Sequence, residues 1–218
     1  MDFLFSEEQQ LLKESIRNFA EKEILPYVRE WDEQGRWPAE LTRKLGEMGL
    51  LGIIIPPEYS GAGYSNVDYV IILEELSKVD PSVGLVVAAH NSLCSNHLNL
   101  FGNEDQKKKY LTRLAAGETL GAWGLTEAGA GSDAAAIKTR AVKKGDKYIL
   151  NGSKLFITNG SIAEILVIMA VTDPEKGRQG ISAFIVEKDM PGFRPGKKED
   201  KLGIRAADTA ELIFEDVE

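Results

Sequence analysis

The feature that most constrains this chain is a change of hydrophobic period close to Gly117. Before it, apolar residues recur three and four apart, the repeat of helices buried on one side. Beyond it, short β-branched runs alternate with turn signals, and twelve of the 21 glycines lie past Gly117. Helices followed by strands, without βαβ alternation, predict an α+β fold. The expected architecture is an N-terminal all-α domain packed on an antiparallel β-barrel or sandwich-like domain. The boundary falls near residues 116–120, giving domains 1–117 and 118–218.

Local signals place the elements. Ser6 with Gln9 makes a capping box, and Leu12, Ile16, Phe19 and Glu23 follow on one helical face. Pro26 ends or kinks that helix. Pro38 opens a second helix through Met48, closed by Gly49. Asn66 caps a third, with Val70, Leu73 and Leu76 on one side. Pro81 starts a weakly charged fourth that runs to about Leu100, and Asn103 with Gln106 opens a fifth through Leu114. In the second half, residues 148–150, Asn151-Gly152 and residues 154–158 predict a hairpin that turns at Asn-Gly. Residues 165–171, 181–186 and 210–214 read as further strands.

Composition removes several function classes. The chain has 34 acidic against 26 basic side chains in 218 residues, which argues against nucleic acid or an anionic membrane as partner. A lone cysteine, Cys94, excludes a disulfide framework and a cysteine-based metal site, and fits a reducing compartment. The opening MDFLFSEEQQ lacks the basic and long apolar regions of a leader. Residues 81–103 carry no charged side chain but hold Ser82, His90, Asn91, Ser95 and His97, too polar for a membrane span. A soluble cytoplasmic protein is expected, or a mitochondrial matrix protein in a eukaryote.

Two segments carry chemistry. Trp123-Gly124-Leu125-Thr126-Glu127-Ala128-Gly129-Ala130-Gly131-Ser132-Asp133 begins as an apolar strand and becomes a loop of very small residues. Such a loop lets backbone N–H groups approach an anion or a planar ring, and Thr126 and Ser132 add hydroxyls. It is neither a dinucleotide fingerprint nor a P-loop. A glycine-rich turn without ligand fits the spacing equally well. The second segment, Asn151 to Gly160, reads locally as a hairpin arm containing Phe156, Ile157 and Thr158. His90 and His97 are seven apart, which is not the spacing of a helical metal pair, and read as polar packing or cavity residues.

Taken in order, these segments resemble the acyl-CoA dehydrogenase family of flavoenzymes. The resemblance runs along essentially the whole chain: the opening helix, Gly102 to Tyr110, Leu125 to Asp133, Ile137-Lys138-Thr139, Asn151 to Gly160, Gly180 to Glu187, Lys201 to Arg205, and Asp208 to Val217. It implies FAD as cofactor and α,β-dehydrogenation of an acyl-CoA thioester, with loss of the α-proton to a carboxylate and of the β-hydride to flavin N5. By the same resemblance Trp123, Leu125 and Thr126 bind the isoalloxazine, with Thr126 reaching its pyrimidine side, and Gly131 and Ser132 form the turn between flavin and CoA moiety. Phe156, Ile157 and Thr158 make the second flavin segment, with the Thr158 hydroxyl near N5. Ser132, Arg205 and Ala89 are the implied substrate contacts. An ion pair of Arg205 with Asp208 or Glu211 is the alternative for Arg205.

Two positions depart from the family pattern: Phe156 stands where Trp is common, and Ala207 where Ser is usual. The family also implies an electron-transferring flavoprotein as acceptor, a homotetramer, and a C-terminal helical domain that carries the catalytic Glu. That domain and its base are expected beyond residue 218, so no catalytic residue is assigned within the chain. Glu74, Glu75, Glu127 and Asp133 read as structural. The expectation is therefore that these 218 residues alone do not turn over and hold FAD weakly or not at all. The alternatives are a non-catalytic FAD- or acyl-CoA-binding assembly module and an acyl-CoA oxidase-like relative.

Overall fold

A computed structural model describes residues 4–218. Met1, Asp2 and Phe3, where the leader reading and the domain 1–117 begin, lie outside the described residues. The chain divides into two compact units, one running to Glu118 and including Asp200–Ala207, the other holding Thr119–Glu199 and Asp208–Glu218. Residues 200–207, assigned from sequence to the β domain, thus cluster with the helices. A backbone N–H explains part of this, because Arg205 donates to Asp32 Oδ1 at 3.2 Å.

The helical unit follows its caps closely. Helix α1, Glu7–Glu23, starts on the Ser6/Gln9 capping box and buries Ile16 and Ala20. Pro26 sits in a short 3₁₀ turn, Leu25–Tyr27, before α2, Val28–Gln34. Helix α3, Ala39–Glu47, begins after Pro38, and Gly49 beyond its end has φ 71°. Helix α4, Asn66–Val79, is capped by Ser65 rather than Asn66, because the Ser65 hydroxyl accepts from Asp68 N–H while Asp68 takes the Ser65 N–H. The competing Asn66 lies one residue inside the helix.

The fourth helix is interrupted. Asp80 caps α5, Pro81–Ala88, which opens into a π-helical turn, Ala89–Ser95, before α6, Asn96–Phe101. A π turn strains the regular hydrogen-bond ladder, and side chains take up the displaced groups. Ser92 Oγ donates to Ala88 C=O, and the Asn91 amide donates to Val87 and Leu50 carbonyls while accepting from Ile53 N–H. The fifth helix is similarly divided, into α7, Glu104–Gln106, a π turn, Lys107–Leu111, and α8, Thr112–Ala115. Among the described residues no helix is long and apolar enough to cross a membrane.

The second unit is a seven-stranded sheet: β1 Gly121–Gly124, β2 Arg140–Lys144, β3 Lys147–Thr158, β4 Ile165–Val171, β5 Ile181–Glu187, β6 Phe193–Lys198 and β7 Thr209–Val217. The strand path is β1-β4-β2-β3-β7-β6, with β5 on β4. The expected purely antiparallel pairing is modified: β1 runs parallel to β4, and β2 meets β4 through a parallel bridge. A helical domain followed by a mixed β domain is the architecture. Leu166, Ile168, Leu212 and Phe214 lie at its core with less than 3% exposure.

The hairpin expected at Asn151-Gly152 does not exist. β3 runs straight through that dipeptide, and the turn lies earlier, at Gly145 with φ 65°, between β2 and β3. Asn151 and Gly152 instead sit at a bulge against β7. The Asn151 side chain exchanges two 2.9 Å hydrogen bonds with Asp216, one to its carboxylate and one from its N–H. Gly152 brings the backbone against Thr139, where a Cβ would come within 2.8 Å of Thr139 Cα. The dipeptide signal was local; the cross-strand partners overrode it.

Candidate functional site

The two segments singled out in the sequence converge inside the β unit. β1 ends at Gly124, and Leu125 and Thr126 continue it into the small-residue loop. The Leu155 N–H donates to Thr126 C=O at 2.8 Å, fixing that loop to the middle of β3. Glu127 and Ala130 then close a tight turn by exchanging two 3.1 Å backbone bonds. Gly131 and Ser132 project from it, exposed, and a Cβ at Gly129 or Gly131 would meet nothing within 4 Å.

Phe156 is the strained member. It holds φ 59° while 61% exposed, at the register shift between Lys154 and Ile157. A bulky residue in this region is a genuine backbone outlier costing about 1–3 kcal/mol, and such strain clusters at functional sites. Here the bulge turns the ring outward while Ile157 goes into the core at 3% exposure. Thr158 is half-buried and pairs with Thr209. Asn159 at φ 63° ends the segment; its N–H donates to Asp208 C=O and its side-chain amide to Gly121 C=O.

A buried ion pair lies underneath. Lys154 is completely enclosed, its Nζ 2.6 Å from Glu127 Oε1 and 3.0 Å from Leu125 C=O. Glu127 also accepts the N–H groups of Lys138 and Thr139. Burial pushes the Glu127 carboxyl up, but hydrogen bonds from Lys154, Thr139 and Lys138 outweigh it and hold it below the usual carboxylate range. Burial pulls Lys154 down, and Glu127 opposes that. Glu127 is structural, as the sequence reading has it, but its pairing with Lys154 is not read from the sequence, although a signal exists: Lys154 lies in phase with the inward Leu150 of the same strand.

The remaining carboxylates are structural in the same sense. Glu75 is buried between Arg17, Lys13 and Lys78, and Glu74 pairs with Lys78. Burial pushes Glu75 up, but its hydrogen bonds from Arg17 and Lys78 hold it low; the Lys78 hydrogen bond likewise holds Glu74 low. Asp133 is exposed in the loop.

Ala89 and Arg205 belong to the helical unit, not to this pair of segments. Ala89 is the buried first residue of the π turn. Of the two ion partners considered for Arg205, Asp208 is engaged elsewhere: it accepts from the Ser161 N–H and hydroxyl and faces Lys198. Ala207 is fully buried and its carbonyl accepts from Lys201 Nζ.

Comparison with known proteins adds identity to this geometry. Residues 6–118 match the acyl-CoA dehydrogenase N-terminal domain, and residues 122–217 match the acyl-CoA dehydrogenase middle domain. A short-chain specific acyl-CoA dehydrogenase of Clostridium acetobutylicum is 52% identical over 217 residues, covering 100% of this chain and 57% of the relative. Butyryl-CoA dehydrogenase of Megasphaera elsdenii superposes with a TM-score of 0.94 at 44% identity, covering 100% of this chain and 58% of that one. A glutaryl-CoA dehydrogenase of Mycobacterium smegmatis in complex with FADH2 gives 0.92 at 35% identity, covering 98% and 54%. The chain therefore spans little more than half the length of the relatives it matches.

Proposed function

The chain belongs to the acyl-CoA dehydrogenase family, and from that premise we propose that it forms the helical and flavin-holding β parts of an FAD-dependent acyl-CoA dehydrogenase. The observation that carries the reading is the junction of loop 125–132 with strand residues 155–158 through the Leu155 to Thr126 hydrogen bond. The residues fit the cofactor. An isoalloxazine needs a flat wall, hydrogen-bonding groups at its edges and free space beside them. Phe156 offers an exposed ring, Thr126 and Thr158 offer hydroxyls, and the backbone at Gly129 and Gly131 is open.

In this reading Trp123, Leu125, Thr126, Phe156, Ile157 and Thr158 hold the flavin, with Gly131 and Ser132 at the turn toward the CoA moiety. Bound FAD supplies the two-electron acceptor for the substrate's β-hydride. Thr126 and Thr158 orient the cofactor's polar edges, Phe156 excludes water from one side, and Ser132, Ala89 and Arg205 meet the acyl-CoA. The α-proton needs a base whose affinity for protons is raised in a dry pocket. Glu74, Glu75 and Glu127 are held in the opposite direction by their cations, so the base is drawn from elsewhere. The C-terminal part found in the longer relatives is its proposed source. An electron-transferring flavoprotein as acceptor, a tetrameric assembly and a soluble cytoplasmic setting complete the proposal.

The test is co-expression of this chain with the C-terminal part of a full-length relative, followed by an assay of acyl-CoA-dependent reduction of an artificial electron acceptor. Activity that falls at least tenfold on Thr158→Val or Ser132→Ala supports the reading. Tight acyl-CoA binding with no flavin and no turnover supports a non-catalytic module instead.

A further inference from the structure

The Lys154 ammonium is enclosed on all sides, yet it does more than neutralise Glu127. Its second hydrogen bond goes to the Leu125 carbonyl at 3.0 Å. The peptide unit that carries this carbonyl also carries the Thr126 N–H, and in a planar trans unit the two point in opposite directions. Among the described residues the Thr126 N–H has no acceptor, while the Thr126 carbonyl is taken by Leu155. The unit is therefore gripped by a cation at one end and left with an unused donor at the other. A charge-assisted bond to a carbonyl draws electron density toward its oxygen and makes the attached N–H a better donor, an effect that grows in a low dielectric.

The framework holding the ammonium is complete. The Lys154 stem passes beside Gly124, where a Cβ would lie 2.8 Å from Ile168 Cδ1 and 3.3 Å from Lys154 Cγ, so the glycine lets both side chains pack closely there. Glu127 is fixed by Lys138 and Thr139 N–H groups, and Thr139 Oγ1 donates to Ser153 C=O on the neighbouring stretch of β3. We infer that Lys154 is a positioning residue which clamps and polarises the peptide between Leu125 and Thr126, presenting the Thr126 N–H as a strengthened donor to an electron-rich heterocycle edge. This rests on the flavin reading of the site. Reduced flavin carries more negative charge on its pyrimidine side than oxidised flavin, so a stronger donor there favours the reduced form.

The variant that tests this is Lys154→Met together with Glu127→Gln, which removes both charges and keeps an amide oxygen for one of the two N–H groups, of Lys138 and Thr139, that the two carboxylate oxygens accept separately. In the FAD-loaded protein obtained by co-expression with the C-terminal part of a full-length relative, the expected result is an approximately tenfold loss in preference for reduced over oxidised FAD, read as a midpoint potential lower by about 30 mV for the two-electron couple. An unchanged potential in a folded double variant overturns the inference. A separate measurement needs no flavin: carbonyl carbon and amide nitrogen shifts at Leu125 and Thr126, in wild type and in Lys154→Arg. The clamp predicts a Leu125 carbonyl displaced toward the hydrogen-bonded range in wild type and changed by Lys154→Arg. A carbonyl in the free range in wild type overturns it. Wild-type chain that takes up no FAD even when co-expressed with the C-terminal part of a full-length relative, but shows the clamped carbonyl, defeats the functional reading and leaves the clamp standing.

Discussion

His90 sets a condition on pH. It is fully buried in the helical unit, with Nε2 between the Leu51 and Leu114 carbonyls. Burial pulls its pKa from the ordinary 6.5 to about 4. The unfolded chain therefore takes up a proton first as the pH drops. This group's contribution to stability is complete above about pH 6.5, declines toward about pH 4, and is gone below it. A displacement of that size corresponds to roughly 3 kcal/mol. His90→Gln is expected to flatten the stability profile over that window, measured as urea midpoints at several pH values; an equally steep profile contradicts the prediction. At this scale the sequence was partly legible. The sequence reads His90 as polar packing or a cavity residue, and the structure buries it against two backbone carbonyls. The role of Lys154 is not legible, because a lysine in a strand pattern looks solvent-facing until its partner Glu127, 27 positions away, is brought to 2.6 Å.

Among the elements, β3 carries the sharpest lesson. Asn151-Gly152 is the strongest short hairpin signal in the chain, and it lies inside a twelve-residue strand opposite a bulge whose extra residue is on β7. The reason is energetic: a turn there would forfeit the ladder with β2 on one side and β7 on the other. Glycine is still required, but for close approach to Thr139 and for φ 141°, not for a turn. Gly152→Ala is expected to destabilise the β unit by about 1–3 kcal/mol through strained backbone and collision with Thr139. Chemical denaturation followed by far-UV circular dichroism checks this, and a loss below a few tenths would contradict it. Caps were far more readable, because they are decided within four residues. Ser65→Ala is expected to cost about 1 kcal/mol, since it frees the Asp68 N–H and loosens an aspartate whose other oxygen accepts from Gln9 on α1. An unchanged melting temperature would argue against that cap. The π turns were not legible, because nothing in a one-dimensional period distinguishes one added residue per turn from an ordinary helix.

For the whole molecule the question is what these residues do without partners. Leu100 and Phe101 at the end of α6 are 63% and 74% exposed, and Leu202 is fully exposed. Apolar residues left open in this way favour association. This chain, purified on its own, is expected to self-associate in a concentration-dependent manner, read by light scattering after size-exclusion chromatography. A monomer across the micromolar range would contradict that. The sequence by itself determined the change from helices to strands near Gly117, the positions of most caps, and the two segments that carry the candidate chemistry. Each of these depends on period or on contacts a few residues apart. Tertiary structure decided the parallel pairing of β1 with β4, the passage of β3 through Asn151-Gly152, and the grouping of residues 200–207 with the helices. It also decided the strained display of Phe156 and the burial of Lys154 against Glu127 and Leu125. Those features exist only where distant segments compete for the same backbone groups and the same dry volume, and no local pattern records the outcome of that competition.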